Sequence, residues 1–404
     1  MPKLHERTAI APGSLAQTDA GSGFGRQHRP SHKSGDAPRN VAGRAASPHR
    51  TRRAQALVLS VAALAIALAG CTANNAAPAG SGKSSSIADL TGSITGSGSS
   101  FQNAFQQASI DAFLKKASGA DVTYNSVGSG QGKKDFASGL TNFAGTDSTV
   151  KPTDGIAADS FLYLPFASAP ITVSYHLSGV TKLQLSGTTL GSIFGRKITK
   201  WNDPAIAADN AGVTLPDKAI AVVHRSDGSG TTNRFTEFLT AAGGSGWTLG
   251  TGDSVAWAGD TQGGAQNTGV AQTVKQTDGA IGYVDFADAL AAGLTFASVQ
   301  NKNGEFVAPS LDAATAAVAG GAIPDNLAFD PINSAGKGAY PITAPTYILL
   351  KKSYSGAVGN LVKSYATFLV TDAQGLAAGI NYAKLPDALQ QKAQAQIANV
   401  QVQG

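Results

Sequence analysis

The chain has 404 residues, 42% hydrophobic and 14% charged, with 48 Gly, one Met and one Cys; that is length for two or three domains' worth of core and too little charge for a disordered polyelectrolyte. The net charge of +5 is no polyanion-binding signal, because ten of the 31 Lys and Arg but only three of the 26 acids fall in residues 1–70, leaving a body with 21 basic and 23 acidic residues. Nucleic acid is therefore not an expected partner, and one cysteine excludes an intrachain disulfide and any multi-cysteine metal cluster.

Residues 1–50 are rich in Gly, Pro, Ser and Arg without hydrophobic period; they read either as a disordered extension or as a start site placed too early. Arg50, Arg52 and Arg53 then precede residues 56–69, a 14-residue apolar run broken only by Ser60. That length suits the hydrophobic region of a signal peptide and falls short of the roughly 20 residues of a spanning helix. The run ends in Leu68-Ala69-Gly70-Cys71, and Asn, Ala, Pro, Gly and Ser follow as far as Ser86. This pattern resembles a bacterial lipoprotein signal, which makes residues 1–70 a leader, Cys71 the lipidated N-terminus and residues 71–89 a flexible tether. The pair Arg52-Arg53 leaves the general and the twin-arginine export routes both open.

From residue 87 onward, short apolar runs alternate with amphipathic stretches, the pattern of an α/β protein with mainly parallel sheets. Phe101, Phe105, Ala108, Ala112 and Phe113 recur near 3.6 spacing and predict a helix over 101–117. A strand is expected at 122–127 and a helix at 133–140. Residues 161–175 form a long apolar run containing Pro165 and Pro170, and residues 340–350 form a second with Pro341 and Pro345. Between them lie a strand at 219–223, a helix at 231–242 and a strand at 280–284, and helices at 357–369 and 388–400 close the chain. The two proline-marked segments suit a pair of crossovers between lobes.

Three Gly/Ser/Thr clusters each stand immediately before a predicted helix: Gly96-Ser97-Gly98-Ser99-Ser100-Phe101, Gly128-Ser129-Gly130-Gln131-Gly132 and Asp227-Gly228-Ser229-Gly230-Thr231-Thr232. Glycine permits close backbone approach, first-turn N–H groups lack intrahelical partners and hydroxyls add donors, so each cluster is equipped to hold an oxyanion. One such cluster is commonly just a helix cap; three, with Arg225 beside the last, point to a ligand. No cluster completes a Walker A or dinucleotide glycine pattern, and no Gly-x-Ser-x-Gly elbow occurs. Only His176 and His224 lie beyond the leader, which leaves no nucleophile-base pair and makes a transition-metal site improbable.

The stretch Arg225-Ser226-Asp227-Gly228-Ser229-Gly230-Thr231 resembles the anion loop of the periplasmic phosphate-binding proteins, the PstS-type receptors of ABC phosphate importers. The resemblance extends in consistent order over residues 91–396, through 96–101, 127–129, Phe143-Ala144-Gly145-Thr146-Asp147, 189–204, 279–286 and 340–343. It implies a two-lobe periplasmic-binding-protein fold with the ligand cleft between lobes joined by two crossovers. Lobe one would comprise residues 90–166 with 345–404, and lobe two residues 167–344. The phosphate contacts it implies are Ser100, Phe101, Ser129, Asp147, Arg225, Ser229, Gly230 and Thr231, with Asp227 orienting Arg225.

The chemistry of the anion agrees with that set. Phosphate near neutral pH keeps at least one proton, so its site needs many donors and one acceptor; Arg225, the hydroxyls and the loop amides donate, and Asp147 accepts. The expected function is capture of inorganic phosphate at the outer face of the bacterial cytoplasmic membrane and delivery to an ABC permease and its ATPase. No catalysis, cofactor or metal is expected. The alternatives are a receptor for another tetrahedral oxyanion such as sulfate or molybdate, or a phosphatase-like enzyme using the same pocket.

Overall fold

The computed structural model describes residues 86–404, so the leader, Cys71 and the tether as far as residue 85 lie outside the described residues. The tether's expected last residues are folded: Ser86 accepts from the Ala88 amide and caps a 3-10 turn over Ile87–Asp89.

A first sheet is laid down by β1 (Gly92–Gly98), α1 (Asn103–Leu114), β2 (Ala120–Ser126), α2 (Ser129–Ala137) and β3 (Phe143–Thr146), with β1 parallel to both β2 and β3. β4 (Phe161–His176) carries the chain to a second sheet. Next come β5 (Gln184–Leu185), which belongs to a small separate sheet, α3 (Gly187–Phe194), α4 (Pro204–Asp209), β6 (Ala221–Arg225), α5 (Gly230–Ala242), β7 (Gln262–Gly264), α6 (Gln266–Gln276), β8 (Ala280–Asp285) and α7 (Phe286–Ala291), with β6, β7 and β8 in the second sheet. After β9 (Thr295–Phe296), β10 (Ser298–Gln300), β11 (Phe306–Val307) and α8 (Leu311–Ala319), β12 (Thr343–Lys351) returns to the first sheet. β13 (Ser353–Ser355), α9 (Gly356–Val370), α10 (Asp387–Ala398) and β14 (Gln401–Gln403) complete the fold.

The expectation of mainly parallel sheets needs a correction at the crossovers. β6 is parallel to β7 and β8, as β1 is to β2 and β3, but β4 and β12 run antiparallel to each strand they pair with. One strand takes the chain out and the other brings it back, so side by side they must oppose. β4 also changes partner along its length: residues 161–170 pair with β12 and residues 171–176 with β8. Pro165 and Pro170 fall in the half whose only ladder partner is β12, and Pro345 falls in the part of β12 paired to β4 alone. A proline cannot donate to a ladder, and each of these sits where one ladder suffices.

Burial explains why β4 reads as a continuous apolar run rather than an alternating one: of residues 161–175 all but Leu162 are buried, the pattern of a strand covered on both faces. Aromatic contacts dominate both cores, Phe113 meeting Tyr365 at 5.3 Å near the first sheet and Phe235 stacking on Tyr283 at 4.4 Å near the second. Such pairs add about 0.5 to 1.5 kcal/mol beyond their buried area.

Candidate functional site

Parallel strands present their carboxyl ends to one side, which is where open α/β sheets bind ligands. Here the residues after β1, β2 and β3 meet those at the ends of β6, β7 and β8. The closeness of approach is set by glycine. Gly130 donates its amide to the carbonyl of Gly228 at 2.9 Å, and a Cβ on Gly132 would lie 2.3 Å from Gly98 Cα. The Ser129 cluster therefore turns out to be the first turn of α2 itself, not a loop before a helix that begins at 133. Small residues let that turn press onto the end of β1.

Asp147, fully buried after β3, anchors the first sheet's side. Its Oδ2 accepts from Ser99 Oγ at 2.5 Å and its Oδ1 from Thr346 Oγ1 at 2.7 Å. From the opposite side, Arg234 in α5 donates Nε to the Asp147 carbonyl at 2.6 Å. Burial lifts the Asp147 carboxyl to about 6, against the downward pull of the Ser99 and Thr346 hydrogen bonds and the charges of Arg225 and Arg234.

Arg225 ends β6 with its side chain buried, and Asp227 grips it two-handed: Nε donates to Oδ1 at 2.8 Å and Nη2 to Oδ2. Burial pushes the Asp227 carboxyl up, but the Arg225 contacts and the Gln266 amide outweigh it and hold the pKa below the usual value. The Arg225 amide donates to Tyr283 Oη at 3.0 Å, and its Nη1 reaches Thr231 Oγ1 at 3.4 Å. Ser229 caps α5 by accepting from the Thr232 amide at 3.1 Å, which leaves its own O–H as a donor.

Among the residues expected from the sequence, Ser129 and Asp147 from one side of the cleft are brought against Gly230 from the other. A Cβ on Gly230 would stand 2.6 Å from Ser129 Oγ and 2.7 Å from Asp147 Oδ2. Ser129 Oγ is buried without a hydrogen-bond partner among the described residues, a costly state for a hydroxyl that a bound acceptor would relieve. Ser100 and Thr231 are joined through a residue the sequence reading did not single out, Asn267 at the start of α6: its Nδ2 donates to Ser100 Oγ at 3.1 Å and to Thr231 Oγ1 at 3.2 Å. The Phe101 side chain does not face the site. It packs edge-on against Tyr382 at 6.2 Å, and its amide donates to Ser99 Oγ at 3.0 Å.

Thr346, Asn267 and Arg234 are thus members of the cluster that the sequence alone did not mark, and Ser99, named in the first cluster but not among the expected contacts, joins them through Asp147. Asn267 had a cue: Gly263-Gly264 stands before its helix much as glycines stand before the other three. His224 stacks on Trp257 at 4.7 Å, with Nδ1 2.9 Å from the Arg225 carbonyl.

A model of the PBP superfamily domain matches residues 75–373. The chain is 38% identical over 310 residues to the phosphate-binding protein PstS of Pasteurella multocida, covering 75% of this chain and 89% of that protein. To phosphate-binding protein PstS 3 of Mycobacterium leprae it is 32% identical over 343 residues, covering 80% and 93%. Among solved structures, a high-affinity periplasmic phosphate-binding protein bound with phosphate superposes with a TM-score of 0.61 at 23% identity, covering 75% of this chain and 93% of that one. The phosphate-binding protein from Stenotrophomonas maltophilia gives 0.55 at 23% identity, covering 76% and 94%. These likenesses are of fold, and they show the two-lobe periplasmic-binding-protein architecture.

Proposed function

The chain belongs to the PBP superfamily and, within it, to the PstS-type phosphate-binding proteins, and from that premise we propose that it captures inorganic phosphate outside the cytoplasm and delivers it to an ABC permease. The observation that carries the reading is the convergence of Ser129 Oγ and Asp147 Oδ2 on Gly230, an unpartnered buried hydroxyl and a carboxylate against the first turn of α5. A donor, an acceptor and a helix start within hydrogen-bond distance of one point suit a protonated tetrahedral oxyanion.

In this reading Ser100, Ser129, Ser229, Thr231, the Gly230 amide and the Arg225 guanidinium donate to the anion, as does the Phe101 amide, which the anion shares with Ser99 Oγ, while Asp147 accepts the anion's proton and Asp227 holds Arg225 in place. The lobes are residues 90–166 with 345–404, and residues 167–344, closing over the ligand about β4 and β12. The role is one of binding and release without bond making. Cys71 carries a lipid that keeps the protein at the outer face of the cytoplasmic membrane, and the permease with its ATPase is the partner.

Native mass spectrometry of the purified protein, followed by calorimetric titration of ligand-stripped material, tests the assignment. Co-purifying phosphate and stoichiometric phosphate binding are expected. Hydrolysis of a chromogenic phosphate ester would instead favour the enzyme alternative.

A further inference from the structure

Lys133 is a buried ion to which the phosphate reading gives no task. It sits in α2, one turn beyond Ser129, with its side chain 1% exposed. Its Nζ lies 2.8 Å from Asp154 Oδ2, 2.9 Å from Asp253 Oδ2 and 3.4 Å from Ser148 Oγ. Burial favours the neutral amine, but the two carboxylates outweigh it and hold the lysine's pKa above its ordinary value. The ammonium is therefore charged and needs its partners.

The two acids are not equivalent. Asp154 ends the 3-10 turn Pro152–Asp154 between β3 and β4, on the same side of the cleft as α2. Asp253 lies between α5 and β7, on the side of the second sheet. Its backbone carbonyl accepts from the Ser229 amide at 2.8 Å, at the N-cap of α5. One ammonium thus ties the helix that begins with Ser129 to the segment that holds Ser229. Asp253 Oδ1 is buried without a hydrogen-bond partner among the described residues, which leaves Lys133 as the group that neutralises this carboxylate.

We propose that Lys133 and Asp253 form a latch across the cleft, a positioning pair that sets how slowly the ligand leaves. The inference rests on the phosphate-binding reading. With the lobes apart, Lys133 keeps Asp154 and Asp253 keeps water; on closure Asp253 gives up its water for the ammonium. The pair forms only after the anion has been met, so it acts on dissociation far more than on association.

Stopped-flow kinetics of phosphate binding on the mature protein, comparing wild type with Asp253→Asn and Asp154→Asn, tests the latch. Asp253→Asn should release phosphate about 30-fold faster or more, as breaking a buried charge pair does, with the association rate within about twofold. Asp154→Asn, whose pairing does not cross the cleft, should lower the melting temperature of the ligand-free protein and change release much less. Should Asp253→Asn fail to fold, Asp253→Ser carries the same expectation. Wild-type release from Asp253→Asn, or equal acceleration by both variants, overturns the latch alone. A wild type that binds no phosphate overturns the phosphate reading and the latch with it.

Discussion

The amide of Gly130 meets the carbonyl of Gly228 backbone to backbone at 2.9 Å, one residue from each side of the cleft. A Cβ on Gly228 would meet within 4 Å only atoms of Gly130, the nearest at 3.2 Å. Gly228→Val adds a side chain whose Cβ meets only the opposite side of the cleft, and it should therefore obstruct closure. Overpacking of this kind costs about 1 to 3 kcal/mol, or about 5- to 150-fold in affinity. Small-angle scattering should show that phosphate no longer contracts the variant. Full contraction and unchanged affinity would remove this contact from the closed state.

Arg225 is buried and held by Asp227, so under the proposed function it would meet the anion as an oriented fork. Removing the main cation beside a buried anion costs about 3 to 5 kcal/mol. Arg225→Ala should weaken phosphate binding by roughly two to four decades at 1.4 kcal/mol per decade. Arg225→Lys keeps the charge and loses the fork, and should fall between. Unchanged affinity in calorimetry would exclude Arg225 from the site.

The Asp147 carboxyl, raised by burial to about 6, also makes a stability prediction. Folded protein holds this proton more tightly than the unfolded chain, so the wild type loses stability as pH rises from about 4 to about 6, and the cost is fully present above 6. Its size is on the order of 3 kcal/mol. Urea denaturation in phosphate-free buffer should show Asp147→Asn gaining on the wild type by up to that amount between pH 4 and pH 7. A difference flat in pH would mean that the carboxylate is solvated when no ligand is present.

How much of this was legible in the sequence depends on whether the signal was local. The long apolar run of β4, the glycine-marked helix starts and the Arg225-Ser226-Asp227 sequence all announce themselves within a few residues. Thr346 and Arg234 do not: each lies in a buried strand or helix whose pattern says only that it packs, and each reaches Asp147 from far along the chain. The antiparallel crossovers were hidden for the same reason. Strand direction is a property of pairs, and β4 pairs with β12 over a separation of more than 170 residues.

Anchoring at Cys71 predicts that the exported protein partitions with membranes and begins at a diacylated Cys71. Cys71→Ser should release the protein or block its processing, as read by fractionation and intact mass. A mature N-terminus elsewhere would contradict the lipoprotein reading.

Phosphate and sulfate are tetrahedral oxyanions of similar size, so the proton is what tells them apart. In the proposed site phosphate would donate a hydrogen bond to the Asp147 carboxylate, whereas fully ionised sulfate would set a lone pair against it inside a desolvated cleft, at a cost of several kcal/mol. Asn at this position offers both a donor and an acceptor. Paired titrations with phosphate and with sulfate, on wild type and Asp147→Asn at one pH and salt, test the account most directly. It predicts that the wild type strongly prefers phosphate and that the variant loses its rejection of sulfate more than its hold on phosphate. Comparable sulfate binding by the wild type, or an unchanged phosphate-to-sulfate ratio in the variant, would contradict it.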